Sequence, residues 1–151
     1  MGVWTEALPY FSARELRCPL TETISLNMRF AVLLPALRVR VGHPLACSSV
    51  CRSTEHNVAV GGHPRSLHLM DNPVHPTEGT MAADVLWWDW SQSRRSSFAN
   101  VAWSLGWSLG LHPDFVHIDR RADIGLGQNA YTYADWTGPT TGFDSAITAS
   151  L

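Results

Sequence analysis

The apolar residues of this chain occur in short runs, and this most limits the elements it can form. Two of these runs, MAADVLWW at 81–88 and DFVHID at 114–119, have the length and the β-branched or aromatic content of buried strands. Each contains an ionisable residue within its apolar stretch, Asp84 in the first and His117 in the second. Strands this short, mixed with helices in no strict β-α-β alternation, predict an α+β fold.

The other predicted elements follow from periodicity and turn residues. Residues 25–41 and 91–109 have helical spacing; Pro35 predicts a kink or a new helical start in the first, and Gly110 predicts the end of the second. A turn and short strand are predicted at 42–50, a helical turn near 54–60, and a strand at 130–136. The predicted architecture is a small antiparallel sheet flanked by helices.

Composition restricts the function. The 151 residues suit one domain, expected at 1–136, with a tail at 137–151 that is either flexible or docked on a partner. Only 16% of residues are charged and the formal net charge is -2, which excludes a strongly basic nucleic-acid binder. No apolar run is long enough to span a bilayer, and we expect no secretory signal peptide in MGVWTEALPYF.

The histidines point to metal chemistry without proving it. Most of the seven lie between His56 and His117, three of them in EHNVAVGGHPRSLH at 55–68. A catalytic zinc ion needs about three converging imidazole or carboxylate ligands. Taken alone, His117 in its apolar strand is either a core or edge histidine or a metal ligand, and the pattern leaves both interpretations open.

Several motifs in order resemble one family. CRSTEHNVAVGGHPRSLH at 51–68, AADV at 82–85 and FVHIDRR at 115–121 look like the zinc-dependent M15 peptidases, with FSARELRCP and YADW extending the likeness over residues 11–136. This family includes D-Ala-D-Ala carboxypeptidases and phage L-alanyl-D-glutamate endolysins, and it shares a fold with the hedgehog signalling domain. The resemblance implies that fold for this chain.

The resemblance also implies roles for individual residues. The implied zinc ligands are His68, Asp84 and His117, and Asp114 matches the position of the general base. Arg52 and Ser66 match residues that contact the substrate in the family. Apart from the resemblance, His112 lies two residues before Asp114 and is an alternative candidate for the proton carrier. Asp119 either orients the His117 ring or forms a salt bridge with Arg120 or Arg121.

The sequence departs from the family pattern in two places. Asp84 follows His68 by 16 positions, a much longer spacing than in the family, and residues 69–83 form an apparent insertion. The insertion is either a specificity loop beside the metal or the source of a different ligand, His75 or Asp71, in place of Asp84. In the second departure, SSVCRS at 48–53 replaces the family's SGYRS, which alters the pocket but keeps Arg52.

The resemblance therefore predicts a zinc peptidase that cuts an amide bond of the peptidoglycan stem peptide, either L-Ala-D-Glu or D-Ala-D-Ala. A phage or prophage origin is expected, with synthesis in the host cytoplasm and access to the wall through holin release or as a virion component. The rival interpretation is a non-catalytic module of the same fold, with a structural or binding role among phage virion or tail proteins.

Overall fold

The computed structural model describes residues 2–74 and 78–151. These residues form helices and strands that alternate irregularly along the chain. The helices are α1 (Ala13–Leu16), α2 (Met28–Val41), α3 (Thr54–Ala59), α4 (Gln92–Ser104) and α5 (Ser145–Ser150). The strands are β1 (Val3–Trp4), β2 (Leu26–Asn27), β3 (Cys47–Ser49), β4 (Ala82–Leu86), β5 (Ser108–Leu111), β6 (Phe115–Asp119) and β7 (Ala130–Thr132).

The main sheet has the order β3-β4-β6-β5-β7 among the described residues, and β1 pairs separately with β2. Neighbouring strands are antiparallel, except that β7 runs parallel to β5. The sheet is therefore mixed, whereas the sequence predicted an antiparallel sheet. The α+β class is confirmed. The centre of the sheet, β4 against β6, places Asp84 directly opposite His117.

The two faces of the sheet have different surroundings. Side chains alternate between the faces of a strand, so the residues next to Asp84 and His117 point the other way. Val85, Val116 and Ile118 join the hydrophobic core, which α2 and α4 cover with residues such as Phe30 and Phe98. The opposite face of β4 and β6 has no such cover and lines a cleft.

The predicted end of α2, at residue 41, agrees with the structure, whereas the predicted end of α4 lies too far along the chain. Helix α2 begins after Asn27, whose side chain accepts from the N–H groups of Arg29 and Phe30, and it continues through Pro35. Helix α4 ends at Ser104, so the prediction of helix to residue 109 is wrong. Gly106 has φ +91°, a left-handed conformation that ends the helix, and the chain then enters β5.

Residues 137–151 pack on the rest of the chain. Phe143 and Ile147 are buried in the main hydrophobic core, and Ile147 lies on the buried side of α5. This segment is therefore structurally continuous with residues 1–136. No helix in the described ranges is long and apolar enough to cross a membrane.

Candidate metal centre

Three buried side chains meet on the open face of the sheet. Asp84 comes from β4, His117 from β6, and His68 from the loop that follows α3. Oδ1 of Asp84 lies 3.1 Å from Nε2 of His68 and 3.0 Å from Nδ1 of His117. One ligand atom from each residue lies within 4.8 Å of the other two.

The second nitrogen of each imidazole is already bonded. Nδ1 of His68 lies 2.8 Å from the carbonyl oxygen of Val50, and Nε2 of His117 lies 2.8 Å from Oδ2 of Asp119. Carbonyl and carboxylate oxygens only accept, so both of these nitrogens carry the proton. The other nitrogens, Nε2 of His68 and Nδ1 of His117, face Asp84. Each has a lone pair available to a cation when its ring is neutral, so the centre of the cluster suits a cation.

This donor set fits zinc. Two imidazole nitrogens and one carboxylate oxygen are a ligand set found in catalytic zinc sites, which leave a further position open. Bonds from the remaining ring nitrogens to a carbonyl or carboxylate are the contacts that orient zinc-binding histidines. His68, Asp84 and His117 can therefore hold a zinc ion at this face of the sheet.

The buried charges of the cluster affect one another strongly. Burial alone would raise the pKa of Asp84, but the imidazoles of His68 and His117 outweigh burial and hold this pKa well below its usual range. Burial lowers the pKa of His68. Burial opposes a charge on His117 too, but hydrogen bonds to Asp119 and Asp84 raise its pKa. Asp84 is thus ionised.

Arg52 links the metal cluster to the loop that precedes His68. Its Nη2 lies 3.4 Å from Oδ2 of Asp84, its Nη1 donates to Oδ1 of Asn57, and its Nε donates to the Ser49 hydroxyl. Asn57 in turn donates to the carbonyl of His63. Ser49 therefore helps to orient Arg52, and Asn57 connects Arg52 to the loop at His63.

Gly62 explains why the sequence has two adjacent glycines before His68. A Cβ at Gly62 would overlap the side-chain oxygen of Asn57 and lie 3.0 Å from Nη1 of Arg52. A side chain here would therefore break the bond between Asn57 and Arg52. A Cβ at Gly61 would meet no neighbouring atom, so packing does not require glycine there. Its φ of +71° does favour glycine, because other residues rarely adopt this backbone conformation.

Asp119 makes both of the contacts that the sequence left as alternatives. Its Oδ2 accepts from Nε2 of His117 and lies 2.7 Å from Nη2 of Arg121. Arg120 instead pairs with Asp123. Asp119 is fully buried, and its contacts with His117 and Arg121 hold its pKa below the usual range despite burial.

The cluster lies in a cleft of about 790 Å³. Arg52, Ser66 and the three metal-centre residues line it, together with residues that the sequence analysis did not assign to the site. These additional residues include Arg65, Arg121, Asn129, Tyr131 and Tyr133. The two tyrosines are two positions apart in AYTYADW, and this period-2 spacing was the signal that would have placed both on one strand face.

Of the predicted site residues, Asp114 is the one that the structure does not bring into the cleft. It is exposed, lies in the turn before β6, and does not line the cleft. It interacts electrostatically with Arg95 of α4, on the helix-covered side. An odd number of positions separates Asp114 from His117, which favours opposite faces of the strand.

His112 lies on the same side as the cleft. Its N–H donates to the carbonyl of Phe115, and its ring stacks on the Phe115 ring with centroids 4.2 Å apart. It also meets the edge of Tyr133 at 5.5 Å. Both aromatic partners line the cleft, whereas His112 itself, like Asp114, is not one of the lining residues. Its Nε2 lies 3.8 Å from Oδ2 of Asp135.

The apparent insertion at 69–83 does not keep His68 and Asp84 apart, because the chain enters and leaves it at neighbouring residues. The N–H of Gly79 donates to the carbonyl of Met70, and Asp71 pairs with Glu78 in an antiparallel bridge. We call this closure the neck of the insertion. No described residue of 69–83 lines the cleft; the alternative ligand His75 lies outside the described residues.

The insertion supports the cleft from behind. The Asn72 side chain donates to the carbonyls of Arg65 and Ser66, and the Thr80 hydroxyl donates to the carbonyl of His68. Ser66 accepts from the N–H of His68 through its hydroxyl. The loop carrying His68 is therefore fixed at both ends.

Comparison with known proteins gives one family. The family described as peptidase M15 matches residues 9–119, well over half of the chain and a range that contains all three metal-centre residues. Neither the curated proteins nor the solved structures gave a significant match.

Proposed function

Because the chain belongs to the peptidase M15 family, we propose that it hydrolyses an amide bond in the stem peptide of peptidoglycan, using a zinc ion held by His68, Asp84 and His117. The observation that carries the proposal is the buried convergence of these three residues with both remaining ring nitrogens already bonded. Bound zinc supplies a Lewis acid and lowers the pKa of water towards ~7.

Arg52 and Ser66 are proposed to hold the substrate beside the cluster. Arg52 uses one N–H of each terminal nitrogen on Asn57 and Asp84, which leaves a second N–H on each for a substrate carbonyl or carboxylate. The Ser66 hydroxyl accepts from the His68 N–H and keeps its own proton to donate. Fixed donors of this kind stabilise the negative charge that develops on an attacked carbonyl.

His112 is proposed as the proton carrier in place of Asp114. Nδ1 of His112 accepts from the N–H of Asp114, so Nε2 carries the proton in the neutral ring. We propose that Nδ1 takes the proton of the attacking water, in exchange for its bond to the Asp114 N–H, while Nε2 gives its proton to the leaving amine, so that the ring is neutral before and after. General acid–base catalysis of this kind typically contributes about 10²–10⁴-fold to the rate. The exposure of Asp114 on the other side of the strand favours His112 for this role.

A pair of matched variants tests this assignment. His112→Gln is expected to lower kcat on a stem peptide by about 10²-fold or more without changing zinc content. Asp114→Asn is expected to retain kcat near that of the wild type. Loss of kcat in Asp114→Asn with normal activity in His112→Gln would restore Asp114 as the catalytic residue.

Metal analysis and product analysis test the function itself. The wild type is expected to contain one zinc ion per chain, Asp84→Asn to lose it, and Asp71→Asn to keep it. Mass spectrometry of muropeptides after digestion identifies the bond, since L-Ala-D-Glu cleavage exposes a new amine on D-Glu and D-Ala-D-Ala cleavage releases D-Ala. A zinc-loaded protein that leaves purified walls intact would favour the non-catalytic module. A phage or prophage origin stays a prediction.

A further inference from the structure

A second groove, which we call the tryptophan groove, lies at the end of β4, where Leu86 of the cleft-side face and Arg94 of α4 both line it. It has a volume of about 440 Å³ and is lined by Glu15, Pro44, Leu45, Ala46, Leu86, Trp88, Asp89, Trp90 and Arg94. Leu86 pairs with Phe115 across β4 and β6, and Phe115 lines the cleft. Cross-strand partners share a face, so one pair of side chains separates the two spaces.

Trp88 presents an aromatic surface to solvent from a fixed backbone. Its side chain is 64% exposed, whereas Trp87 and Trp107 are buried. The guanidinium of Arg95 donates to the carbonyls of both Trp87 and Trp88, which holds the turn after β4. An exposed indole on an immobilised turn offers a large flat apolar area to a ligand at little further cost in conformational entropy.

The wall of the groove is also fixed, and one of its polar groups is free. Arg94 stacks on Trp90 at 4.2 Å, and Glu15 accepts from the N–H of Cys47. Among the described residues, none bonds the carboxylate of Asp89, which is exposed beside Trp88. A flat aromatic surface with an adjacent hydrogen-bond acceptor matches a ring that has apolar C–H faces and polar hydroxyl or N-acetyl edges.

We propose that the tryptophan groove binds an N-acetylated sugar ring of the glycan strand, stacked on Trp88 with Asp89 accepting from its hydroxyl or amide groups. Trp88 follows Asp84 by four positions, so their α-carbons are at most about 14 Å apart. This inference rests on the proposed function, because the stem peptide is covalently attached to the glycan. The groove then contacts the sugar while the cleft contacts the peptide.

Sugar binding can be measured without any peptidase activity. The zinc-loaded protein is titrated with a tetramer of N-acetylglucosamine, and the indole N–H signals are followed by NMR. The Trp88 signal, identified by its absence in Trp88→Ala, is expected to shift, and both Trp88→Ala and Asp89→Asn are expected to weaken binding at least about tenfold. Val32→Ala, which changes another exposed apolar side chain on α2, is the control and is expected to bind as the wild type does. Unchanged binding in Trp88→Ala, or no shift at all, would overturn the proposal.

A second comparison separates this proposal from the proposed function. Trp88→Ala is expected to hydrolyse a free stem peptide at the wild-type rate but to hydrolyse glycan-linked muropeptides at least about tenfold more slowly at low substrate concentration. Equal losses on both substrates, or no loss on either, would refute the sugar site. If the wild type hydrolyses neither substrate, the peptidase proposal fails, while the titration still decides whether the groove binds sugar.

Discussion

Asp119 is the residue whose replacement best tests whether the cluster is a metal site. Its carboxylate is fully buried and accepts from Nε2 of His117 at 2.8 Å and from Nη2 of Arg121 at 2.7 Å. Asn at this position has one acceptor oxygen where Asp has two. Both of these donors bond to Oδ2, while Oδ1 accepts from the backbone N–H and Nε of Arg121. The NH2 group of Asn would therefore face donors of Arg121 or Nε2 of His117, and the His117 ring would lose its fixed orientation.

Two separate effects are expected from Asp119→Asn. Loss of a carboxylate that orients a zinc-binding histidine typically costs about 10–100-fold in metal affinity, or roughly 1.4–2.7 kcal/mol. The metal-free protein should also lose stability, because the ion pair with Arg121 is broken. The loss should be below the ~3–5 kcal/mol of a fully buried pair, since the Arg121 side chain is 24% exposed.

The measurement is a zinc titration against a competing chelator, combined with thermal unfolding of the metal-free and zinc-loaded forms. Asp123→Asn is the control, because Asp123 is likewise paired with arginines, Arg29 and Arg120, but is half-buried and lies outside the cluster. The control should lose stability and keep its zinc affinity. If Asp119→Asn binds zinc as tightly as Asp123→Asn does, the carboxylate does not orient the ligand and our interpretation of the cluster is wrong.

Two further predictions concern stability. Gly62→Ala places a Cβ against the Asn57 side chain and should lower the free energy of unfolding by about 1–3 kcal/mol, measured by denaturant titration. An unchanged free energy of unfolding would mean that the Asn57 side chain moves aside without cost. Ile147→Ala should cost about 2–5 kcal/mol in the same assay, because Ile147 is fully buried; a cost near zero would show that residues 137–151 do not contribute to the core.

The strands that carry the ligands were predictable because their apolar pattern is local. Asp84 and His117 each interrupt a short apolar run, and a residue that alternates with core residues must face the other side of its strand. Asp114, which the family resemblance assigns as the base, lies in the bend before β6 and outside the cleft lining. Its role as the base stays a prediction.

The strand β5 could not be predicted from its own residues. Leu105 and Leu109 continue the helical spacing of α4, so the sequence predicts helix as far as residue 109. In the structure the left-handed conformation at Gly106 ends the helix, and pairing with both β6 and β7 determines the conformation of 108–111. Such long-range pairing leaves no periodic signal in a four-residue strand.

Which aspartate lies beside His68 and His117, Asp84 or Asp71, could not be decided from local sequence, because it depends on contacts between distant residues. The 16-position gap made a different ligand plausible, and only the bond between Gly79 and Met70 shows that the extra residues return to where they left. The core position of Ile147 was equally hidden, since the segment at 137–151 has little periodicity. Both features depend on contacts between residues far apart or in weakly patterned sequence.

Because of the neck of the insertion, the length of this loop has little effect on the positions of His68, Asp84 and His117. Because the chain enters and leaves between Met70 and Gly79, added residues there change loop-closure entropy by only about 0.6 kcal/mol for each doubling of length. Residues between Asp71 and Glu78 are therefore a suitable graft point for a foreign module, such as a wall-binding domain or an affinity tag. The chain would then carry its targeting element between Asp71 and Glu78, with both termini left unaltered.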